Sequence, residues 1–577
     1  MVRRQFGSDL VVEALRSFGI TQVAFNPGAS FRGLHESLVT AGDDGPTIIE
    51  VPHEKIAVGI AHGYAKVTGR PMAVVIHDLV GLLHATLGIY YAYADRIPML
   101  LLGGAGPMDA AVRRPWIDWV HSANIQNTAV RDYTKWDDYP ASNAALVDAM
   151  ARAQTISVTE PAGPVYVAID SELQEQEIPD GQWPRLAVPR PPSRVAPDRP
   201  ALDRVADLLA SARRPMFIAG ALGRDPAMWP VLIELAELLG AGVVDTGLRP
   251  NFPTTNPLNQ TGTTSLTEAD VVVLLDVKDV GQHTAILSKS DRGGRPRLAA
   301  GAALVDIGFA DIGISSWSAD YGSWYEPDER VLADTSIALP LLLSACRDRG
   351  VADDDQRRSW RSVLTQRSAD RRRTWRKAAQ TPDPRGGITS AQLVAAVGEV
   401  IASTDWVLTA GTGDGWAPRL WDFDHPGRHP GRSLGTATQI GISLGVALAH
   451  KGSGKMVVDL QPDGDLLFDA GALWVAAKYE LPMLVVMVNN RAYNNDWNHQ
   501  LAMADRRSTP RSDAEIGITI SDPAVDFATL ARSFGWHADG PVTDLAELPA
   551  ALKRAAAVVQ AGQPALVDVV CWPERAR

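Results

Sequence analysis

Between residues 456 and 490 the chain reads as two apolar runs, 456–460 and 483–488, joined by the turn Pro462-Asp463-Gly464-Asp465 and a helical segment. Two short apolar strands separated by a helix fit together as neighbours in a parallel sheet, with the helix as the crossover. Their C-terminal ends then open on one sheet edge, where open α/β sheets bind ligands. One end carries the Asp463 carboxylate and the other the amide pair Asn489-Asn490. Magnesium takes about six hard oxygens and usually fills several positions with phosphate and water. One carboxylate, one amide oxygen and one backbone carbonyl leave room for two diphosphate oxygens and a water, so this run can build a magnesium-diphosphate site. An Asp-Gly turn alone, or an Asn-Asn strand end alone, is ordinary. Together, at this spacing and in this strand-turn-helix-strand setting, they point to the ion.

The same alternation runs through the whole chain. From residue 1 to about 180, apolar runs at 23–26, 47–51, 72–76 and 99–102 alternate with helical patterns, the signature of a parallel α/β unit. The proline-rich stretch 178–200 can continue neither a helix nor a central strand and reads as an extended linker. Beyond it come a helix at 202–213, a strand at 216–219, a helix at 231–239 and strands at 243–244 and 271–275, a Rossmann-like pattern. A charged helical stretch, 353–377, leads into a third unit with strands at 406–409, 456–460, 483–488 and 565–570. The expected fold class is α/β, with three Rossmann-like parallel-sheet domains: N-terminal (1–180), central (195–350) and C-terminal (385–577).

Composition narrows the function. At 577 residues the chain is too long for one core. A net charge of −12, spread without acidic or basic blocks, argues against a nucleic-acid partner. Two cysteines, Cys346 and Cys571, far apart in sequence, indicate neither a disulfide framework nor a zinc site and fit a reducing, cytoplasmic setting. The N-terminal segment reads as an amphipathic helix starting near Ser8 or Asp9 rather than a secretory leader. No uninterrupted apolar stretch reaches spanning length, so no membrane partner is expected. Trp116, Trp119 and Trp136 lie in one segment, where interface packing is the simple explanation.

The 463–490 pattern resembles the cofactor motif of thiamine-diphosphate enzymes, a GDG followed by an NN pair about two dozen residues on. Three α/β units in this order resemble the benzoylformate decarboxylase and acetolactate synthase branch, over essentially the whole chain. The resemblance implies that Asp463 and Asn490 are metal ligands, with the backbone carbonyl of Ala492 third, and that Gly464 and Asp465 flank the cofactor. Pro462 replaces the family's first glycine, and Asp465 stands where a small polar residue is usual. An extra carboxylate beside a diphosphate is electrostatically odd, so Asp465 is expected to turn away or to meet metal-bound water. The first domain is expected to bind the aminopyrimidine and the third the diphosphate, each cofactor lying between domains of two subunits. A homodimer or homotetramer with active sites at the subunit interface follows.

The stretch EVPHEKIAVGIAHGYAKVTGRP (50–71) resembles the family's HEQ…GYAR(A)TG segment and puts Glu54 in the position of the activating carboxyl. That group stabilises the pyrimidine tautomer whose nitrogen removes the C2 proton. Read without the resemblance, Glu54 is a helix N-terminal glutamate favoured by the dipole. The segment TATQIGISLG (436–445) resembles the turn that carries an aliphatic wedge, with Ile440 as the wedge and Thr438 beside the cofactor. The glycine-rich turn 411–415 could offer backbone N–H groups at Gly413 and Asp414 to the diphosphate.

On the substrate side, His77 stands just past the 72–76 strand and matches the active-site histidine of benzoylformate decarboxylase. An imidazole near its ordinary pKa can take up a proton and return it. A histidine at a strand end is equally a structural hydrogen-bond donor. His84 lies near the cofactor by the same likeness. Ala29 replaces the decarboxylase's serine, and Ser30 carries the hydroxyl one place on. His121 and Asn124 fall where synthase relatives place substrate-facing side chains. Asn494, Asn495 and Trp497, in the run 493–499, form an unusually polar pocket wall or, alternatively, a solvated loop. Buried amides left unpaired by an apolar substrate would cost about 1–3 kcal/mol each, so a polar carbonyl substrate is expected.

The expected function is a magnesium- and thiamine-diphosphate-dependent C–C lyase. It would decarboxylate a polar 2-oxo acid non-oxidatively, and the resulting enamine could be passed to an acceptor carbonyl. The alternatives are an acetolactate-synthase-like carboligase, a C–C hydrolase of a diketone, or a catalytically silent cofactor-binding homologue, against which Glu54 argues. FAD is not expected: residues 216–220 are generic and 275–278 do not match a flavin contact.

Overall fold

In the computed structural model three parallel sheets carry the chain, which is described over residues 5–278, 280–286, 295–309, 326–351 and 353–572. The first sheet contains β1 (Gln22–Phe25), β2 (Thr47–Glu50), β3 (Met72–Ile76), β4 (Met99–Ala105), β5 (Asp137–Asp138) and β6 (Pro164–Asp170), in the order β2-β1-β3-β4-β6-β5. The second has β7 (Pro215–Ala219), β8 (Gly242–Asp245) and β9 (Val271–Leu275). After a short antiparallel pair, β10 (Ala285–Ile286) with β11 (Arg295–Pro296), it is completed by β12 (Ala303–Ile307) and β13 (Glu329–Val331). Its order is β13-β12-β9-β7-β8. The third comprises β14 (Ile388–Thr389), β15 (Trp406–Leu408), β16 (Met456–Pro462), β17 (Leu484–Asn489), β18 (His537–Val542) and β19 (Ala565–Trp572), ordered β14-β19-β17-β16-β15 with β18 on β19. The fold is α/β with three Rossmann-like sheets.

Several boundaries differ from the sequence reading for local reasons. β4 runs on through Gly103 and Gly104 because those glycines leave room for the Tyr166 hydroxyl and the Ser30 side chain. No separate turn follows β16: Pro462 is its last residue, where a missing N–H costs little, and a helix begins at Asp463. The run 493–499, weighed as a loop, instead opens the helix Asn494–Arg507. The charged stretch is the helix Asp355–Gln380.

By contact, the chain divides into two units. One holds Met1–Ser193, Ser433–Ser453 and Asp465–Leu481; the other holds Arg194–Arg432, Gly454–Gly464 and Pro482–Arg577. In the first, helix Glu54–Thr68 crosses helix Gln439–Ala449 glycine on glycine. A Cβ on Gly63 would lie 1.9 Å from the Ile442 carbonyl, and one on Gly445 2.0 Å from that of Ile60. Two glycines four residues apart on each helix put the four on the facing sides, so backbone meets backbone. In the second unit, β16 and β17 are in register from Val458↔Leu484 to Pro462↔Val488, over a core that includes Val458, Leu460, Leu484 and Val486. That register brings Asp463 and Asn489-Asn490 out at one sheet edge.

Candidate active site

In the first unit, the strand β2 ends two residues short of His53, whose ring caps the helix that follows: its Nδ1 accepts the Lys55 N–H at 3.1 Å. The helix therefore begins at Glu54, which is buried. Its carboxylate lies so close to Gly81 that a Cβ there would come within 2.8 Å of Oε1. Its other oxygen is 3.2 Å from Nδ1 of His84, whose ring stacks on His53 with centroids 4.8 Å apart. Burial lowers the His53 pKa, in keeping with an Nδ1 that acts as acceptor. Behind this group Lys55 is paired with Asp469 at 3.2 Å, both side chains being nearly buried. Ile440, the second residue of its helix, is fully buried.

A second cluster stands at the end of β3. His77 Nδ1 is 2.9 Å from the Ser30 hydroxyl, which also accepts the Asp78 N–H. Gly28 permits this: any Cβ would lie 2.6 Å from the His77 ring. The His121 ring meets His77 edge-on at 5.2 Å. Asp78, fully buried, accepts from Ser122 through Oδ1, while its Oδ2 makes no hydrogen bond and lies 3.8 Å from His77 Nδ1. The His121 Nδ1 is also buried without a hydrogen bond. The three groups bring ligand-type atoms within 4.8 Å of one another. Burial lowers the His77 pKa and pushes the Asp78 carboxyl up to about 6. Buried polar atoms left without a hydrogen bond, as at Asp78 Oδ2 and His121 Nδ1, are costly unless a proton or a polar group of a ligand meets them.

The second unit gathers the metal-type ligands. Asp463 Oδ1 accepts the Gly464 N–H at 2.8 Å, whereas Oδ2 is buried with no hydrogen bond, and burial pushes the carboxyl up to about 6. The Asn490 side-chain oxygen accepts the Ala492 N–H at 2.9 Å and keeps a second lone pair. A buried carboxylate oxygen without a hydrogen bond, and an amide oxygen with a lone pair to spare, are donors of the kind a hard divalent cation takes. Gly413, Asp414 and Gly415 are consecutive left-handed residues (φ +55°, +54° and +78°), and the Asp414 carboxylate accepts from Ser390 at 3.1 Å. Asn494 has a buried side-chain oxygen without a hydrogen bond, while Asn495 is exposed.

Three sequence expectations change, and of the two orientations weighed for Asp465 one is found. Ser30 does not stand free for a substrate carboxylate, because its buried hydroxyl is spent on His77 and the Asp78 amide; Ala29 is exposed and has no hydroxyl to offer. Trp497 packs into an apolar cluster with Ala492, Leu501, Ala514 and Ile518 rather than lining a polar wall. Asn124 receives Arg113 at 3.1 Å on the surface. Asp465 turns its carboxylate to the Ala437 N–H at 2.5 Å, within the first unit. Sequence reasoning passed over His53 and Asp78. Both are chain neighbours of assigned residues, and only the folded contacts show what they hold.

Comparison with known proteins matches a region in each of the two units. Residues 6–125 match the model of the thiamine pyrophosphate enzyme N-terminal TPP binding domain, and residues 409–569 that of the C-terminal TPP binding domain. "Acetolactate synthase 2, chloroplastic" of Zea mays is 25% identical over 98% of this chain and 85% of that protein. "Probable 2-ketoarginine decarboxylase AruI" of Pseudomonas aeruginosa is 26% identical over 93% and 89%. The solved structure of the Rhodococcus jostii RHA1 thiamine diphosphate-dependent 4-hydroxybenzoylformate decarboxylase shares the fold, with a TM-score of 0.75 at 19% identity over 99% and 100% of the two chains. Glu54 and His77 fall in the first matched region and Ile440, Asp463 and Asn490 in the second. The chain belongs to the thiamine-diphosphate-dependent enzymes. Within them it is a lyase/carboligase.

Proposed function

We propose that the protein is a magnesium-dependent lyase that decarboxylates a polar 2-oxo acid without oxidation. The His77–Asp78–His121 cluster carries this reading, since a decarboxylation leaves a carbon that must be protonated. Thiamine diphosphate, when bound, supplies the carbon nucleophile for the ketone and the sink for the electrons released with CO2. Asp463, Asn490 and the Ala492 carbonyl would hold its magnesium, with the 413–415 turn offering N–H groups. Thr438, Gly464 and Ile440 are the other residues we assign to cofactor binding. Glu54 would hold the aminopyrimidine, oriented by His84 and the His53 ring. His77, kept neutral by burial and fixed by Ser30, takes or gives the substrate proton at Nε2. Asp78 and His121 set its orientation and charge. Unpartnered polar atoms at Asp78 and His121 favour a substrate with polar groups to match them.

A carboligase is the second reading, because acetolactate synthases match the chain over nearly its whole length at an identity similar to that of the decarboxylase. We propose a homodimer or homotetramer, as the resemblance implies. Incubating the protein with Mg2+, thiamine diphosphate and a pool of 2-oxo acids, followed by proton NMR, tests both. Aldehyde is expected from the lyase and hydroxyketone from the carboligase. Survival of every keto acid, with cofactor C2–H still exchanging in deuterium oxide, would sink the 2-oxo acid reading and move diketone cleavage to first place.

A further inference from the structure

Asp465 occupies the place in the cofactor motif where an extra carboxylate is hardest to explain. Its carboxylate, nearly buried, accepts the N–H of Ala437, which is itself buried, at 2.5 Å. Ala437 has φ +68°, a left-handed conformation that disfavours a side chain bearing Cβ by about fivefold or more in population. The turn it belongs to is pinned at two further points. The Thr438 hydroxyl donates to the Gly435 carbonyl at 2.9 Å, and the Tyr91 hydroxyl packs where a Cβ on Gly435 would stand, 1.9 Å away. The helix Gln439–Ala449 starts immediately afterwards without a side-chain cap at Thr438, and Ile440 is its second residue. The geometry of the turn therefore decides where Ile440 sits.

We propose that Asp465 is a positioning residue that locks Ala437 in its left-handed conformation, and so sets the start of the Ile440 helix, rather than a ligand of metal or diphosphate. A hydrogen bond from a buried amide to a carboxylate is worth about tenfold or more in an equilibrium, enough to offset the backbone cost at Ala437. Glycine at 437 would remove that cost, so the carboxylate and Ala437 must be coupled. The inference rests on membership of the thiamine-diphosphate family and not on the identity of the substrate.

The test compares the full-length protein with Asp465→Ala, Asp465→Asn, Ala437→Gly and the double variant Asp465→Ala/Ala437→Gly. Hydrogen-deuterium exchange of peptides spanning 433–445 is read without cofactor. Cofactor C2–H exchange is read at saturating Mg2+ and thiamine diphosphate, with dissociation constants from fluorescence titration. Asp465→Ala is expected to raise amide exchange in this turn and to slow C2–H exchange tenfold or more, with both dissociation constants within threefold of wild type. Asp465→Asn keeps an acceptor oxygen and is expected to recover most of the loss; Ala437→Gly in the Asp465→Ala background is expected to recover about fivefold. A raised Mg2+ dissociation constant with normal amide exchange would overturn the proposal in favour of a ligand role. Unchanged amide exchange, or no rescue by Ala437→Gly, would overturn it as well. Should Asp465→Ala not fold, the comparison of Asp465→Asn with and without Ala437→Gly decides by the same criterion. None of these readouts uses a 2-oxo acid, so failure of the substrate reading leaves the result interpretable.

Discussion

Glu54 sits at the first position of its helix, where a negative charge is favoured by the dipole, and its carboxylate is shut between Gly81 and His84. The helix-terminal and activating readings of this residue are thus compatible. Replacing Glu54 by Gln keeps the shape and removes the charge. It is expected to slow C2–H exchange by about 10²-fold or more while thiamine diphosphate still binds, as proton NMR in deuterium oxide would show; exchange at the wild-type rate would refute the role. Asp78 makes a second prediction. Burial pushes its carboxyl up to about 6, so the folded protein holds this proton more tightly than the unfolded chain does. The stabilisation from that proton is complete below about pH 4 and lost as pH rises through about 6, and amounts to about 3 kcal/mol. Asp78→Asn is expected to flatten the fall in Tm between pH 4 and pH 7; an unaltered slope would show that Asp78 does not titrate in this range.

At the scale of elements, the crossing of helices Glu54–Thr68 and Gln439–Ala449 fixes at once the two residues proposed to meet the cofactor, because Glu54 and Ile440 both stand in the first turn of their helices. Gly445→Ala would drive a methyl group into the Ile60 carbonyl and the Tyr64 amide. Backbone at such a crossing has no flexible side chain to yield, so a destabilisation of about 3 kcal/mol is expected. Thermal melting should show it, and C2–H exchange should fall in the fraction that remains folded. Ala449→Gly, at the far end of the same helix, is the control, with a cost of no more than about 1 kcal/mol.

For the whole molecule, the proposed metal site would make folding and cofactor binding one equilibrium. Ligands at 100 times their dissociation constant stabilise the folded state by about 2.7 kcal/mol. Mg2+ with thiamine diphosphate should therefore raise Tm, EDTA should abolish the rise, and Asp463→Asn should weaken it at fixed Mg2+. A rise that survives EDTA would exclude a magnesium-bridged cofactor. Trp116 and Trp119 are 72% and 78% exposed. Such area is rarely left bare on a monomer, and interface packing remains its simplest explanation. Sedimentation velocity is expected to give twice or four times the chain's mass, and Trp116→Ser/Trp119→Ser to shift that distribution towards the single chain. A wild-type monomer would refute the proposed assembly.

The three sheets were legible because strand and helix periodicities are local: runs such as 72–76 and 271–275 are strands to the residue. Strand ends were less so, since Pro462 and Gly103-Gly104 look like breakers until the paired strand and the packed Tyr166 are in place. Glu54, Asp463 and Asn490 stand out as candidates because their residue types and spacing encode a carboxyl after one strand and an amide after another. What the sequence by itself determined is thus the order of strands and helices and which chemistry stands at each strand end. Only the tertiary structure decided that the Ser30 hydroxyl is spent on His77, that Trp497 turns into an apolar cluster, and that Asp465 serves Ala437. The reason is physical: periodicity sets which face of an element is apolar, whereas a hydrogen bond depends on atoms brought within about 3 Å by segments tens to hundreds of residues apart.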